Sequence, residues 1–81
     1  MKIKILLFAG LRERAGKSEL TLDVPAGTKV ADLVKQLFPD SAWTAKLKRS
    51  LLFAVNQVYA DRGTIIKDGD EVALIPPVAG G

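Results

Sequence analysis

Within the first 38 residues the hydrophobic period changes from two to 3.6, and that change constrains the fold more than any other feature of the chain. Residues 2–9 read KIKILLFA, in which Ile3, Ile5 and Leu7 alternate with Lys2, Lys4, Leu6 and Phe8, the period of a strand. Residues 18–24, SELTLDV, alternate again, with Leu20, Leu22 and Val24 inward and Glu19, Thr21 and Asp23 outward. A short charged helical turn over 11–15, closed by Gly16, separates them, so the two strands read as a hairpin. After Pro25 and Gly27, the residues Val30, Leu33, Val34, Leu37 and Phe38 fall at i, i+3, i+4, i+7 and i+8, one apolar stripe of a helix. Thr28 is placed to cap that helix through its hydroxyl, and Pro39 to stop it.

Beyond Pro39 the pattern returns to strands. Residues 41–49 read as a second, shorter helix with Trp43 and Leu47 on one side. Residues 51–56 read as a third strand, and 57–60 as a short fourth one or a turn into it. A polar connection over 61–69 holds Ile65 and Ile66 as an anchor, Asp68-Gly69 signals a turn, and 70–75 form the last strand. A hairpin followed by a helix that returns to further strands predicts an α+β domain: a mixed sheet of about five strands packed on one main helix. The β-grasp, or ubiquitin-like, arrangement is the simplest one with this order. At 81 residues the chain encloses one core, so residues 1–75 are expected to form one domain and 76–81 a flexible C-terminal tail.

Composition narrows the chemistry. Cys and His are both absent, which removes disulfides, thiolate metal sites and the commonest nucleophile and general base. Gly16-Lys17-Ser18 resembles the end of a phosphate loop but fails it twice. The nearest upstream glycine, Gly10, stands one residue too far away, and the next element is a strand rather than a helix with its N-terminus at the loop. Asp68, Asp70 and Glu71 flank a turn, where acids shape backbone, and no calcium-loop spacing is present. The net charge of +3 is interleaved with acids along the chain. Lys46, Lys48 and Arg49 near Trp43 form the densest basic run, better read as the exposed face of a short helix than as a nucleic-acid surface. No segment has the roughly 20 apolar residues of a membrane span, and the run from Ile5 is too short for a signal peptide. A cytoplasmic protein beginning at or near Met1 is the expectation.

Two features remain. In the last strand Val72 and Leu74 share one face while Glu71, Ala73 and Ile75 share the other. With first and last strands adjacent, Leu6, Phe8, Ala73 and Ile75 are expected to form an exposed apolar patch suited to a partner. The chain then ends Pro76-Pro77-Val78-Ala79-Gly80-Gly81. Two glycines at a given pair of positions arise about once in 200 chains at average usage. Their chemical meaning is clearer: a carboxylate that must enter another protein's active site needs a slender tail, and glycine has no Cβ to obstruct it. The prolines cannot continue a sheet ladder and stiffen the exit, and six extended residues reach roughly 20 Å.

The segments FAGLRE (8–13), AVNQ (54–57) and DGDEVALIPPVAGG (68–81) carry a resemblance, over essentially the whole chain, to the MoaD family within the MoaD/ThiS ubiquitin-like proteins. MoaD proteins are the small, sulfur-carrier subunits of molybdopterin synthase. The resemblance implies that an activating enzyme of the MoeB type uses ATP to adenylate the carboxylate of Gly81, after which sulfur replaces AMP to give a thiocarboxylate. It further implies that the tail enters a MoaE-like large subunit, which holds the catalytic groups. There the sulfur passes to cyclic pyranopterin monophosphate, in a heterotetramer of two small and two large subunits. Carried onto this sequence, Gly81 bears the sulfur and Gly80 permits tail passage. Leu6, Phe8, Leu74, Ile75, Pro76, Pro77, Val78 and Ala79 fall at partner-contacting positions, and the chain itself is expected to bind no cofactor. A carrier for thiazole synthesis (ThiS-like), a ubiquitin-related modifier for tRNA thiolation or protein conjugation, and a β-grasp binding module without carboxylate chemistry are the competing readings.

Overall fold

The computed structural model describes residues 1–39 and 51–76. Both period-two segments form strands, β1 (Lys2–Leu7) and β2 (Glu19–Asp23), paired antiparallel with Ile3 opposite Leu22 and Ile5 opposite Leu20. Their connection carries a helix, α1 (Ala9–Ala15), which is attached to the core by Leu11 and closed by Gly16 in the left-handed region at φ 75°. The 3.6-period stripe forms α2 (Val30–Leu37), burying Val30, Leu33 and Val34. The helix ends where Phe38, preceding Pro39, leaves the helical region, as the proline ring requires of its neighbour.

The chain then supplies β3 (Leu52–Val55), β4 (Val58–Ala60) and β5 (Glu71–Ile75). The five strands lie in the order β2-β1-β5-β3-β4, with β1 and β5 parallel and the other pairs antiparallel. The last strand of the sequence is therefore the middle strand of the sheet, held by a ladder on each side. Ile3, Ile5, Leu7, Phe53, Val72 and Leu74 point to one face of the sheet and join Leu11, Val30, Leu33, Val34, Phe38 and Ile66 in one core. A mixed sheet of this order, grasping one helix, is the β-grasp arrangement.

The structure corrects three expectations. Thr28 does not cap α2: it is buried, and its hydroxyl donates to Pro25 O at 2.7 Å, closing the preceding turn. The helix instead starts against residues 61–66. Val30 N–H donates to Thr64 O and Ala31 N–H to Arg62 O, while the Asp32 carboxylate accepts from Lys29 N–H at 3.0 Å. The first-turn donors are thus satisfied by a neighbouring loop rather than by a side chain at the cap. Second, only Ile66 anchors that loop. It is buried, whereas Ile65 alternates outward and is 56% exposed. Third, Leu74 is fully buried in the core and so is not a surface contact. The second helix read over 41–49, with Trp43 and Leu47, and the basic run Lys46, Lys48 and Arg49 lie outside the described residues. Among the described residues no helix is long and apolar enough to cross a membrane.

Candidate functional site

The sheet face opposite α2 carries the apolar surface. Register places Leu6 beside Ala73, Ala73 beside Ala54, and Ala54 beside Tyr59, one row across four strands. At about 4.8 Å per strand this row is about 14 Å long. Its two alanines make the centre shallow. The next row holds Ile75 opposite Leu52, with Phe8 directly after Leu7, whose partner is Leu74. Phe8 keeps extended backbone at φ −125° and ψ 154°, so its side chain continues the strand alternation and stands 44% exposed. Leu6, Ala73 and Ile75 are half-buried, and Leu52 and Tyr59 are exposed. Register makes these residues neighbours on one face, so the apolar area is contiguous rather than a set of isolated residues. Lys4 and Glu19, 3.5 Å apart, border it on one side.

Sequence reasoning found Leu6, Phe8, Ala73 and Ile75 but missed Leu52 and Tyr59. The signal for Leu52 was present: in the run 51–54, Leu51 and Phe53 are buried, so Leu52 alternates outward. Tyr59 was harder to place, because its face depends on the turn length before it. Asn56 and Gln57 take φ of 52° and 70°, giving a two-residue hairpin loop that pairs Val55 with Val58 and brings Tyr59 beside Ala54.

The other half of the candidate site begins where β5 ends. Ile75 is fixed opposite Leu52 and Pro76 is half-buried, so the chain leaves the sheet from its middle strand at the border of the apolar surface. Pro77, Val78, Ala79, Gly80 and Gly81 lie outside the described residues. The root of the tail is positioned by two ladders, one to β1 and one to β3. A rigid root fixes where the following residues start, and the apolar face lies beside it. Among the described residues no group of three or more acidic side chains is gathered that could hold a metal ion.

A β-grasp domain with an apolar outer face and a small-residue tail leaving its central strand defines a ubiquitin-like carrier or modifier architecture. The sequence matches the ThiS family over residues 5–81, a span that includes the final two glycines, and the chain belongs to that family. It is 40% identical over 83 residues to a protein of Chlamydomonas reinhardtii named molybdopterin synthase sulfur carrier subunit, with all of both chains covered. Among solved structures it resembles a putative molybdopterin converting factor, subunit 1, from Pyrococcus furiosus, at TM-score 0.77 and 29% identity, covering 96% of this chain and 99% of that one. The small archaeal modifier protein 1 of Haloferax volcanii is similar at TM-score 0.74 and 30% identity, with 95% and 98% covered.

Proposed function

We propose that this protein is the sulfur carrier of molybdopterin synthase. The observation that carries the reading is the family match running through Gly81, joined to end-to-end similarity with a sulfur carrier subunit. In this reading an activating enzyme of the MoeB type binds the domain and joins the Gly81 carboxylate to the AMP of ATP, releasing pyrophosphate. The mixed anhydride is an activated acyl group, and a sulfur nucleophile displaces AMP to leave a thiocarboxylate. The large subunit then receives the apolar face of Leu6, Phe8, Ile75 and Leu52, and the tail of Pro76 through Gly81 reaches its active site. There sulfur passes to cyclic pyranopterin monophosphate. The domain supplies position and the tail supplies the leaving sulfur, so the chain needs neither its own catalytic base nor a bound cofactor. Cytoplasmic location and a heterotetramer of two small and two large subunits belong to the same proposal.

Intact mass tests it. Incubation with ATP, the activating enzyme and a sulfur donor should add the mass of sulfur less that of oxygen, and removal of Gly81 should abolish the gain while leaving the fold unchanged. No gain with an activating enzyme shown to be competent on another carrier would overturn the reading. The likeness to a small archaeal modifier protein favours one second reading, in which the activated carboxylate is passed to a protein amine. The two separate when the thiocarboxylated protein is mixed with a large subunit and the pterin precursor. A dithiolene product supports the carrier, and covalent protein adducts without dithiolene support the modifier.

A further inference from the structure

The path from β1 into α1 turns through the left-handed region at a residue that carries a side chain. Ala9, the first residue of α1, has φ 50°. Residues with a Cβ rarely take such a value, because Cβ then crowds the following carbonyl; asparagine and aspartate tolerate it best. The neighbouring Gly10, which could adopt it freely, does not have a positive φ. Ala9 is also exposed, so burial of its methyl group does not explain the conformation.

Phe8 breaks a second local rule. It is the N-cap of α1, where Ser, Thr, Asp or Asn would accept from a first-turn N–H, and its side chain makes no such bond. The Phe8 carbonyl instead accepts from Leu11 N–H at 3.1 Å and from Arg12 N–H at 3.5 Å. A helix of seven residues is weak by itself, so local preference argues for a better cap than phenylalanine. Two successive exceptions mark a place where tertiary structure or function overrides the local choice.

The geometry shows what the override achieves. Leu7 is held opposite Leu74 in the β1/β5 register, and its N–H donates to Ser18 O at 2.9 Å. Leu11 is buried in the same core, so both ends of the segment 8–10 are fixed. Between them Phe8 stays extended, and continuing the register by one residue brings it level with Ile75 on the outer face. An ordinary helical φ at Ala9 would turn α1 relative to β1 by about 110° around one bond. With Leu7 and Leu11 both pinned, that rotation would fall on the torsions of Phe8 and take its ring off the outer face.

We infer that Ala9 is a positioning residue for docking, its left-handed backbone holding the Phe8 ring beside Ile75 before a partner arrives. The inference rests on the reading in which Phe8 contacts the large subunit. Order already present in the free protein lowers what association must fix. Affinity should therefore follow tolerance of the left-handed region at position 9, and not the size of the side chain there.

The test uses the full-length protein. In its free state a strong intraresidue Hα to H–N nuclear Overhauser contact at position 9 reports positive φ, and contacts from the Phe8 ring to the Ile75 methyls report ring placement. The parent and Ala9→Asn should show both, and Ala9→Val should lose both. Calorimetric titration with the large subunit should find Ala9→Asn within about twofold of the parent and Ala9→Val weaker by about tenfold, as the competent fraction falls to about a tenth. Asparagine and valine are of similar size, so direct contact by the side chain at position 9 would penalise both. In a Phe8→Ala background, Ala9→Val should change affinity by less than about twofold, which general loosening of the fold would not reproduce. Should Ala9→Val be unfolded, Ala9→Leu, which is not branched at Cβ, serves for the same comparison. The inference is overturned by parental contacts and affinity in Ala9→Val, by equal losses in the asparagine and valine variants, or by an undiminished loss in the Phe8→Ala background. A parent that fails to bind the large subunit would count against the sulfur-carrier reading, and the ring contacts of the free proteins would still decide the role of Ala9.

Discussion

The side chain of Asn56 ties the β3–β4 turn to the start of β5: its Nδ2 donates to Asp70 Oδ1 at 2.9 Å, and its Oδ1 accepts from Glu71 N–H at 3.0 Å. Asn56 N–H also donates to Glu71 O, at 2.8 Å. The residue sits at φ 52°, a region that asparagine tolerates better than most side chains. One residue thus fixes the hairpin turn and the register with which the middle strand begins. Asn56→Ala removes two side-chain hydrogen bonds and leaves a strained backbone, so it should lower unfolding free energy by about 1–3 kcal/mol. Urea denaturation reads the effect, and a change below about 0.5 kcal/mol would contradict this role.

Gln57 is the opposite case. It has φ 70°, and no side-chain hydrogen bond among the described residues repays the conformation. In a two-residue loop with both positions left-handed, glycine at the second is the favoured residue. Gln57→Gly should therefore raise stability by about 0.5–1 kcal/mol, seen as a higher midpoint in the same titration. A lower midpoint would mean that the Gln57 side chain contributes contacts that its geometry does not display.

Leu74 and Ile75 are adjacent and of similar size but face opposite sides of the sheet. Leu74 lies among fully buried neighbours, so Leu74→Ala should cost about 2–5 kcal/mol. Ile75 is half-buried on the outer face, and Ile75→Ala should cost about 1 kcal/mol. The ranking reverses for the partner: Ile75→Ala should weaken association with the large subunit, whereas folded Leu74→Ala should bind as the parent does. Calorimetric titration of both variants checks this, and equal binding losses would remove Ile75 from the contact surface.

The contrast also marks where sequence reading succeeds. Alternation in 2–9, 18–24 and 70–75 and the stripe from Val30 to Phe38 are direct consequences of one-sided burial, so strands, helix and core faces were legible. Thr28 was misread because a cap depends on what lies next to the helix end, and here the carbonyls of Arg62 and Thr64 arrive from more than 30 residues away in sequence. Ile65 and Ile66 could not be sorted because a loop has no period from which to infer a face. Leu52 and Tyr59 joined the outer surface through cross-strand register, a property of two segments at once. The reading of residues 76–81 rests on a different ground, chemical composition, which needs no tertiary partner.

Phe8 is the sharpest probe of the proposed docking face. Its ring is 44% exposed and projects beyond the end of β1, so replacing it with aspartate removes little core contact and should change stability by less than about 1 kcal/mol. Placed against a partner, however, the same carboxylate would be desolvated in an apolar contact, and truncation of a central aromatic alone commonly costs about 2 kcal/mol or more of binding. Phe8→Asp should therefore reduce affinity for the large subunit at least about thirtyfold. Val58→Asp is the matched control. Val58 is more exposed than Phe8, yet it pairs with Val55, which is opposite the buried Val72, and so lies on the other side of the sheet. Its affinity should stay within about threefold of the parent. Parallel losses in both variants would mean that the partner does not read the outer face, and unchanged binding by Phe8→Asp would move the docking surface elsewhere on the domain.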